Sequence, residues 1–426
     1  MTVFSFAAKS LSVRSRLRVT HWEVVPAVTG VIAATFLALP AAAQDADRTL
    51  VLRAGTTAAW DTNVFRQPES APDPQLERGI SGKADRVTTS YVGLHVDKPY
   101  AQQRLQLDVS QTATRHAKFS FIDRDTFQYH GGWLWTLTPR ISGTLSADHS
   151  ESAIDFADIT SPSPQLNVRT TDDRAVNLDG WVSGGWHLLL GAASKDLKTS
   201  QLFLAQPGSS VKLGSIGLEY VAESGNSISA LRRSTRGEYA LPAEISLLNS
   251  IGRDFAVEES GLTWTWMVSG KSTLNGQLFR MERRTVDVPQ RDFSGTTGQL
   301  AYVWLLTDTL TLNVSAIRNL MPWTADTQAS YRVDDTLAIA PSWKISNQID
   351  VYLRASRLVN DFRGPIVPVT GPLRRDVLRS VEVGMHWSPL RNVAFGATLR
   401  RDRRSSTITD FEFEDTVAGL NVALTF

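Results

Sequence analysis

The sequence has no cysteine among its 426 residues. This absence excludes a disulfide-stapled scaffold and any thiolate metal centre, although an oxidising compartment would still tolerate such a chain. The chain also has little net charge, with 44 basic and 43 acidic residues. Because domains that bind nucleic acid usually carry a basic excess, we predict no nucleic-acid partner.

Long hydrophobic runs are equally scarce, and the clearest one extends from Val24 to Leu39. Four bases and one acid precede this run and Ala41 to Ala43 follow it, which is the layout of a secretory signal peptide. A membrane anchor fits less well, because Pro26 interrupts the run and it is short for a spanning helix. We predict a cleaved signal peptide over residues 1–43 and a single mature domain over residues 44–426. Cleavage leaves 40 basic and 42 acidic residues, a net charge of −2.

Motifs for catalysis or cofactor binding are also missing. The sequence has no Gly-rich phosphate loop, HExxH zinc motif or GxSxG elbow, and its histidines lack metal-ligand spacing. His149, which lies beside Ser150 and Ser152, is the only hint of a membrane-embedded hydrolase. It shares the parity of Leu145 and Ala147, which favours a histidine of the wall or rim. We predict no enzyme activity, no metal and no cofactor.

Two-residue alternation is what the mature domain has in abundance. Over residues 348–356, Ile349, Val351 and Leu353 alternate with polar side chains, and residues 104–110, 310–316 and 393–402 repeat the pattern. This period is typical of strands with one apolar and one polar face. Eight short turn-like segments recur about every 40 residues and alternate with longer connections rich in Pro, Ser, Asp and Arg. Strands on both sides of these turns, with a first and a last strand, predict about 18 strands, within a range of 16–18.

Aromatic side chains gather beside the short turns on the apolar parity. Tryptophan and tyrosine favour the level of lipid headgroups, so these residues predict the aromatic girdle of a membrane barrel. A soluble sandwich would be unusual at this length without a domain break. The predicted girdle consists of Trp133, Trp135, Trp186, Trp264, Trp266, Tyr302, Trp304, Trp343 and Trp387.

These patterns predict an all-β fold, a transmembrane antiparallel up-and-down β-barrel with short periplasmic turns and long extracellular loops. In hydrocarbon every backbone polar group must be paired, and only a closed barrel of strands achieves this. We therefore expect the last strand to pair with the first, and we expect the bacterial outer membrane as the location. Phe426, at the end of a strand with Leu420, Val422 and Leu424 on its lipid face, is expected to lie at the periplasmic interface and to act as an assembly signal.

The polar parity predicts which side chains line the lumen. Charges of both signs are costly toward lipid and favourable beside water. Such residues can either brace the wall or set selectivity. Paired arginines near the long loops, such as Arg232-Arg233 and Arg374-Arg375, could meet anionic lipid. The lumen-lining candidates are Arg104, Asp108, Asp148, Asp179, Asp350, Tyr352, Arg354, Glu382, Arg400 and Asp402.

Several sequence segments resemble the EpsL-type family of outer-membrane barrels from exopolysaccharide operons. They are WDTNVFRQP (residues 60–68), YAQQRLQLDVS (residues 100–110), residues 127–152 and DFADI (residues 155–159). The resemblance is sharpest over residues 50–160 and rests on pattern alone elsewhere. It implies a role in making or exporting an exopolysaccharide, with that polymer and periplasmic or lipoprotein components of an export system as partners.

The function therefore has open alternatives. The first is a barrel whose lumen serves exopolysaccharide export. The others are a general or substrate-specific diffusion porin and a non-conducting scaffold of a polysaccharide-synthesis complex. In each case we expect outer-membrane lipid, lipopolysaccharide and the outer-membrane assembly machinery as partners.

Overall fold

The computed structural model describes residues 49–73, 79–158, 164–202, 204–241 and 251–426. The predicted signal peptide and its cleavage site lie outside these residues. No helix among them is long and apolar enough to cross a bilayer. Eighteen strands account for most of the described chain. They are β1 Leu50–Asp61, β2 Asp85–Tyr100, β3 Gln103–His116, β4 Arg124–Thr138, β5 Ile141–Ala153, β6 Val168–Ser183, β7 Trp186–Thr199, β8 Ser209–Val221, β9 Ser227–Tyr239, β10 Asp254–Ser269, β11 Ser272–Thr285, β12 Phe293–Leu305, β13 Leu310–Pro322, β14 Tyr331–Lys344, β15 Ile349–Arg363, β16 Arg375–Leu390, β17 Val393–Ser406 and β18 Phe413–Thr425.

The strands form one antiparallel sheet in which each strand pairs with its sequence neighbours. The sheet closes because β1 pairs with β18, from Arg53 opposite Thr425 to Asp61 opposite Val417. The backbone of Phe426 extends this seam, donating to and accepting from Leu52 at 2.8 and 3.0 Å. Closure leaves no unpaired strand edge, which a membrane-embedded sheet requires. The prediction of a closed barrel of about 18 strands is confirmed.

The turns agree with the predicted spacing, with two differences. Strand β2 continues through the predicted turn at residues 97–100 and reverses only at residues 101–102. At the opposite end, three connections are short, because they span only residues 117–123, 286–292 and 407–412. The expectation of long connections at that end therefore holds for six of the nine.

Contacts between opposite walls identify the interior face. Asp158 follows β5, whereas Arg332 lies on β14 and Arg404 on β17. The guanidinium groups of these arginines lie 3.6 and 3.3 Å from the Asp158 carboxylate, and such contacts can form only through the interior. Directly opposed residues on neighbouring strands share a face. The strand register therefore identifies the interior residues of each strand in turn around the barrel.

The exterior face is apolar. On β3 and β4, for example, Leu105, Leu107 and Trp133 lie on the exterior and are 52%, 38% and 42% exposed. All nine girdle residues named above fall on the exterior parity near the short turns. An exposed apolar wall of this size would be unstable in water, and it fits the hydrocarbon of a membrane.

The hairpin of β13 and β14 bends into the barrel at its outer end. Pairing between β12 and β13 ends at Gly298 opposite Arg318, although β14 stays paired with β13 up to Tyr331. Above that point the ring of Tyr331 stacks on Phe293, an interior residue of β12, with centroids 4.6 Å apart. The hairpin end thus covers the interior face of β12 and narrows the outer mouth.

Candidate functional site

The interior of the barrel carries most of the buried and half-buried charge. The register places ten side chains on this face, namely Arg104, Asp108, Asp148, Asp179, Asp350, Tyr352, Arg354, Glu382, Arg400 and Asp402. They do not form one site. They divide into a group on β3–β6, a group on β15–β17 and pairs near the periplasmic end.

A continuous row of ionisable side chains crosses six strands near mid-height on one wall. Each member lies directly opposite the next in the strand register. We call this row the belt, and it consists of His95, Asp108, His130, Asp148, Asp173 and Lys195.

Short polar contacts link the belt into pairs. His95 Nδ1 lies 2.6 Å from Asp108, His130 Nδ1 lies 2.5 Å from Asp148, and Lys195 Nζ lies 3.1 Å from Asp173. The three carboxylates are about 40% exposed, so they meet lumen water. With neutral histidines the belt holds three negative charges and one positive charge. Rings of carboxylates attract cations and repel anions in pores, so the belt can favour cations.

The facing wall is braced by its own ion pairs. Arg354 Nη1 lies 3.0 Å from Glu382, whose side chain is almost fully buried. Asp402 accepts a hydrogen bond from Ser380 at 2.6 Å and lies 3.2 Å from Arg400 Nε. Because these charges are neutralised within the wall, they hold strands β15–β17 together more than they present charge to a solute.

Tyr352 lies flat against this wall. Its ring stacks on the His386 ring with centroids 5.6 Å apart, and the guanidinium carbon of Arg354 lies 5.5 Å from the Tyr352 ring centroid. A Cβ atom on Gly384 would come within 2.3 Å of the Tyr352 ring, so only glycine leaves room for it. Tyr352 therefore helps to fill the wall between β15 and β16.

Two further pairs lie near the periplasmic end. Arg104 forms a bidentate ion pair with Asp97, with Nε 2.7 Å from the carboxylate. Asp179 lies 2.7 Å from His187 Nδ1 on the neighbouring strand. Each pair joins adjacent strands, which suits a structural role at the mouth of the barrel.

A single carboxylate joins opposite walls at the outer end. Asp158, in the connection between β5 and β6, contacts Arg332, Arg374 and Arg404 on the far wall, with Arg374 nearest at 2.6 Å. Arg404 also donates to the carbonyl of Ala157. The side chains of the three arginines are at most 8% exposed. We call this group the clasp, because it ties residues 154–158 across the lumen.

Electrostatics fix the charge state of the clasp. Burial alone would raise the pKa of Asp158, but Arg374, Arg404 and Arg332 outweigh it and hold that pKa at about 2. The neighbouring Asp155 differs, because burial raises its pKa to about 6 despite the nearby charge of Arg66. The clasp is therefore ionised at neutral pH, whereas Asp155 changes charge slightly below it.

The first outer connection is also tied to the wall near the barrel seam. Arg66 lies 2.9 Å from Asp415 on β18 and 3.2 Å from Asp61 at the end of β1. Asn63 donates to the carbonyls of Gln67 and Glu414. These bonds hold residues 62–67 across the β1–β18 seam.

Aromatic packing joins the outer connections at the mouth of the barrel. Phe65, Phe119, Ile122 and Phe156 come from three different outer connections and are all buried. Phe65 packs edge-to-face on Phe119 at 4.8 Å and on Phe156 at 5.0 Å. On the far side Thr324, at the tip of the β13–β14 hairpin, donates to the carbonyl of Leu204 at 2.5 Å. Outer connections from several parts of the chain thus pack together as one cover.

Arginines that are adjacent in the sequence lie on opposite faces of the wall. Arg374 and Arg404 belong to the clasp, whereas their neighbours Arg375 and Arg403 are exposed. Arg233 likewise lies over the interior ring of Phe279 at 4.4 Å, while Arg232 is exposed outside. The two-residue period explains the split, because successive side chains point to opposite faces of the wall.

Histidine pairing and the clasp were not anticipated from the sequence. His116 and His149 also bind aspartates, Asp123 and Asp172, through Nδ1. His149 lies on the exterior parity and stacks on Tyr129 at 5.5 Å, so it belongs to the outer wall. Within the described ranges no three His, Cys, Asp or Glu side chains are grouped to hold a metal ion. The DFADI segment, which includes Asp158, was the one sequence signal for the clasp.

Comparisons with known proteins return barrels of the outer membrane. No family model matches the chain, and no curated protein matches it. Among solved structures it is similar to the outer membrane protein OpdK from Pseudomonas aeruginosa, with 10% identity, a TM-score of 0.46, and coverage of 88% of this chain and 99% of that chain. A BenF-like porin from Pseudomonas fluorescens Pf-5 gives 10% identity, a TM-score of 0.47 and coverage of 89% and 98%.

The siderophore receptor PirA from Acinetobacter baumannii gives 8% identity, a TM-score of 0.43 and coverage of 88% and 80%. None of these three structures is of an EpsL-type protein. The closed antiparallel sheet and its apolar exterior make the chain an 18-stranded β-barrel of the outer-membrane type.

Proposed function

We propose that the barrel is a diffusion channel of the outer membrane for small polar solutes, with a preference for cations. A barrel of 16–18 strands is wide enough to leave an aqueous lumen. The observation that carries the proposal is the clasp, in which Asp158 binds Arg332, Arg374 and Arg404 on the far wall. A strap of chain tied across the mouth would obstruct a thick polymer more than a small solute.

The belt supports the preference for cations. Its carboxylates Asp108, Asp148 and Asp173 are exposed to the lumen, and Lys195 is the one lysine in the row. On the facing wall Arg354 and Arg400 are each paired with a carboxylate of their own wall. With neutral histidines the net charge of the belt is therefore negative, and it would raise the local concentration of cations.

The exopolysaccharide role remains a prediction from the sequence resemblance. For a polymer to pass, the ion pairs of Asp158 would have to break, and so would the packing around Phe65. Deletion of the gene tests this role, since an unchanged amount of surface polymer with none retained in the periplasm would contradict export.

Planar-bilayer recording and liposome swelling with the purified protein test the channel. We expect stepwise currents, together with swelling in solutions of a pentose and slow or no swelling with a long dextran. A complete lack of current and of swelling would contradict the channel and favour a non-conducting scaffold. Equal permeation of the pentose and the dextran would contradict the limit on size.

A further inference from the structure

Three arginines stand directly opposite one another on the outside of the barrel. Arg357 on β15 pairs in register with Arg379 on β16, and Arg379 pairs with Arg403 on β17. All three are exposed and lie on the exterior parity. We call this group the arginine row. Like charges directly opposite each other destabilise a sheet, so the row is unfavourable unless an anion binds to it.

Little within the chain neutralises the row. The Glu414 carboxylate lies 3.1 Å from the Arg403 guanidinium, but it also forms an ion pair with Arg401 at 3.2 Å. Among the described residues, no carboxylate lies within 4.0 Å of the guanidinium nitrogens of Arg357 or Arg379. Arg401 and Arg403 therefore share one carboxylate, and Arg357 and Arg379 have none within this distance among the described residues. By comparison, the exposed arginines Arg232 and Arg284 on β9 and β11 have Glu258 and Glu282 as partners.

The height of the row matches one boundary of the hydrocarbon layer. On β16 the girdle residue Trp387 precedes the short turn, and Arg379 lies eight residues earlier in the strand. At about 3.3 Å per residue and a tilt of about 40°, this separation is roughly 20 Å along the membrane normal. The apolar band of such barrels is about 25 Å tall, so the row lies near the outer headgroups.

An apolar groove lies on the same face and begins four residues nearer the short turns than Arg379 and Arg403. It encloses about 680 Å³, a volume within the range of roughly 300–1,000 Å³ typical of sites for small ligands. Val383 and Leu399 line this groove. Val381 and Arg401, two residues further toward the outer end of the same strands, lie between them and the row. The small side chains of Ala397 and Ala418 make its floor.

Polar and aromatic side chains mark the outer end of the groove. Arg86 and Trp60 line it, and they are register partners near the outer ends of β2 and β1. A groove that is apolar along its length and basic at its outer end matches an amphipathic anion. Arginine guanidinium groups bind phosphate through paired hydrogen bonds.

We propose that the arginine row and the groove together form a binding site for a phosphorylated lipid of the outer leaflet. The phosphate would bind to Arg357, Arg379 and Arg403, and an acyl chain would lie over Ala397 and Ala418. The site is on the outer wall, so it is independent of conduction through the lumen.

Native mass spectrometry of the full barrel in detergent tests this site, with didecanoyl phosphatidic acid as the probe. The test variant is the triple substitution Arg357→Gln, Arg379→Gln, Arg403→Gln. We expect it to bind the probe at least tenfold more weakly than wild type. The matched control removes three exposed arginines at the same end of β9–β11, namely Arg232→Gln, Arg236→Gln and Arg280→Gln, and should bind as wild type does.

A second variant, Ala418→Phe, fills the groove and leaves the row intact. We expect it to lose the probe while its thermal unfolding stays close to that of wild type. Didecanoyl glycerol, which has no phosphate, should bind wild type weakly, and millimolar inorganic phosphate should compete poorly. Unchanged binding in both variants would overturn the proposal. Equal competition by inorganic phosphate would indicate a free-anion site, and a dimer that dissociates in Ala418→Phe would indicate a subunit interface; either result would overturn the lipid assignment.

Discussion

At the scale of the residue, one carboxylate holds the outer mouth of the barrel. Asp158 is shared by Arg332, Arg374 and Arg404, which come from three separate positions on the far wall. Removing one partner of a buried ion pair leaves the others uncompensated, which commonly costs about 3–5 kcal/mol. Asp158 is therefore the main ionic tie of the strap over residues 154–158, beside the bond from Arg404 to the Ala157 carbonyl and the packing of Phe156.

We predict that Asp158→Asn releases the strap and raises single-channel conductance severalfold. The exposed Asp410, in another outer connection, provides the control, and Asp410→Asn should leave conductance unchanged. Planar-bilayer recording of the three proteins measures the difference. If Asp158→Asn conducts as wild type does, the clasp does not limit the pore.

The pH dependence gives a further check on the clasp. The folded pKa of Asp158 is depressed to about 2, so its stabilising charge is fully present above its ordinary pKa of about 4. That contribution is lost only as the pH falls through about 2. The pKa of Asp155 is raised to about 6, so its contribution is present at low pH and lost as the pH rises through 6. A conductance change near pH 6 should therefore disappear in Asp155→Asn and persist in Asp410→Asn.

At the scale of the element, β18 has to find β1 before the barrel can close. Phe426 exchanges two backbone hydrogen bonds with Leu52, and its ring is 58% exposed. Each such bond contributes about 1 kcal/mol, a small part of a seam that extends as far as Asp61. An exposed aromatic ring at the edge of the apolar wall suits the membrane interface.

We predict that deleting Phe426 impairs assembly more than stability. The amount of barrel in the outer membrane should fall severalfold, while the thermal midpoint of the protein refolded in detergent should shift by only a few degrees. Phe426→Tyr keeps an aromatic ring and should assemble normally. Normal membrane levels of the shortened chain would contradict the proposed role of Phe426 as an assembly signal.

At the scale of the whole molecule, charge is distributed unequally around the lumen. The wall of β2–β7 exposes the carboxylates of the belt, whereas Arg354 and Arg400 on the wall of β15–β17 are each paired with a carboxylate of that wall. Ion selectivity follows from this distribution, because fixed charges in a narrow pore act over about 10 Å at ordinary salt.

We predict that the double variant Asp148→Asn, Asp173→Asn shifts the reversal potential in a KCl gradient toward zero. Asp172→Asn is a closely matched control. It removes a neighbouring carboxylate, but Asp172 lies on the exterior parity beside His149. Asp172→Asn should keep the selectivity of wild type, and an equal shift in both proteins would exclude the belt as the selective element.

The sequence alone determined the barrel. Alternation in segments such as residues 348–356, the spacing of the short turns and the aromatic residues beside most of them predicted about 18 strands and their two faces, because the side-chain period of a strand is local and regular. The same parity assigned Asp148 and Glu382 to one face of the wall. Each of these inferences depends on residues close together in the chain.

Only the tertiary structure decided how the lumen is closed and which charges meet. Asp158 and Arg404 are far apart in the sequence, and no local pattern indicates that the connection after β5 crosses to β17. The sequence did not show which of Arg374 and Arg375 points into the lumen, because both lie beside a long connection. Strand faces follow from local geometry, whereas contacts across a barrel depend on where irregular connections fold, and that is set by packing of the whole molecule.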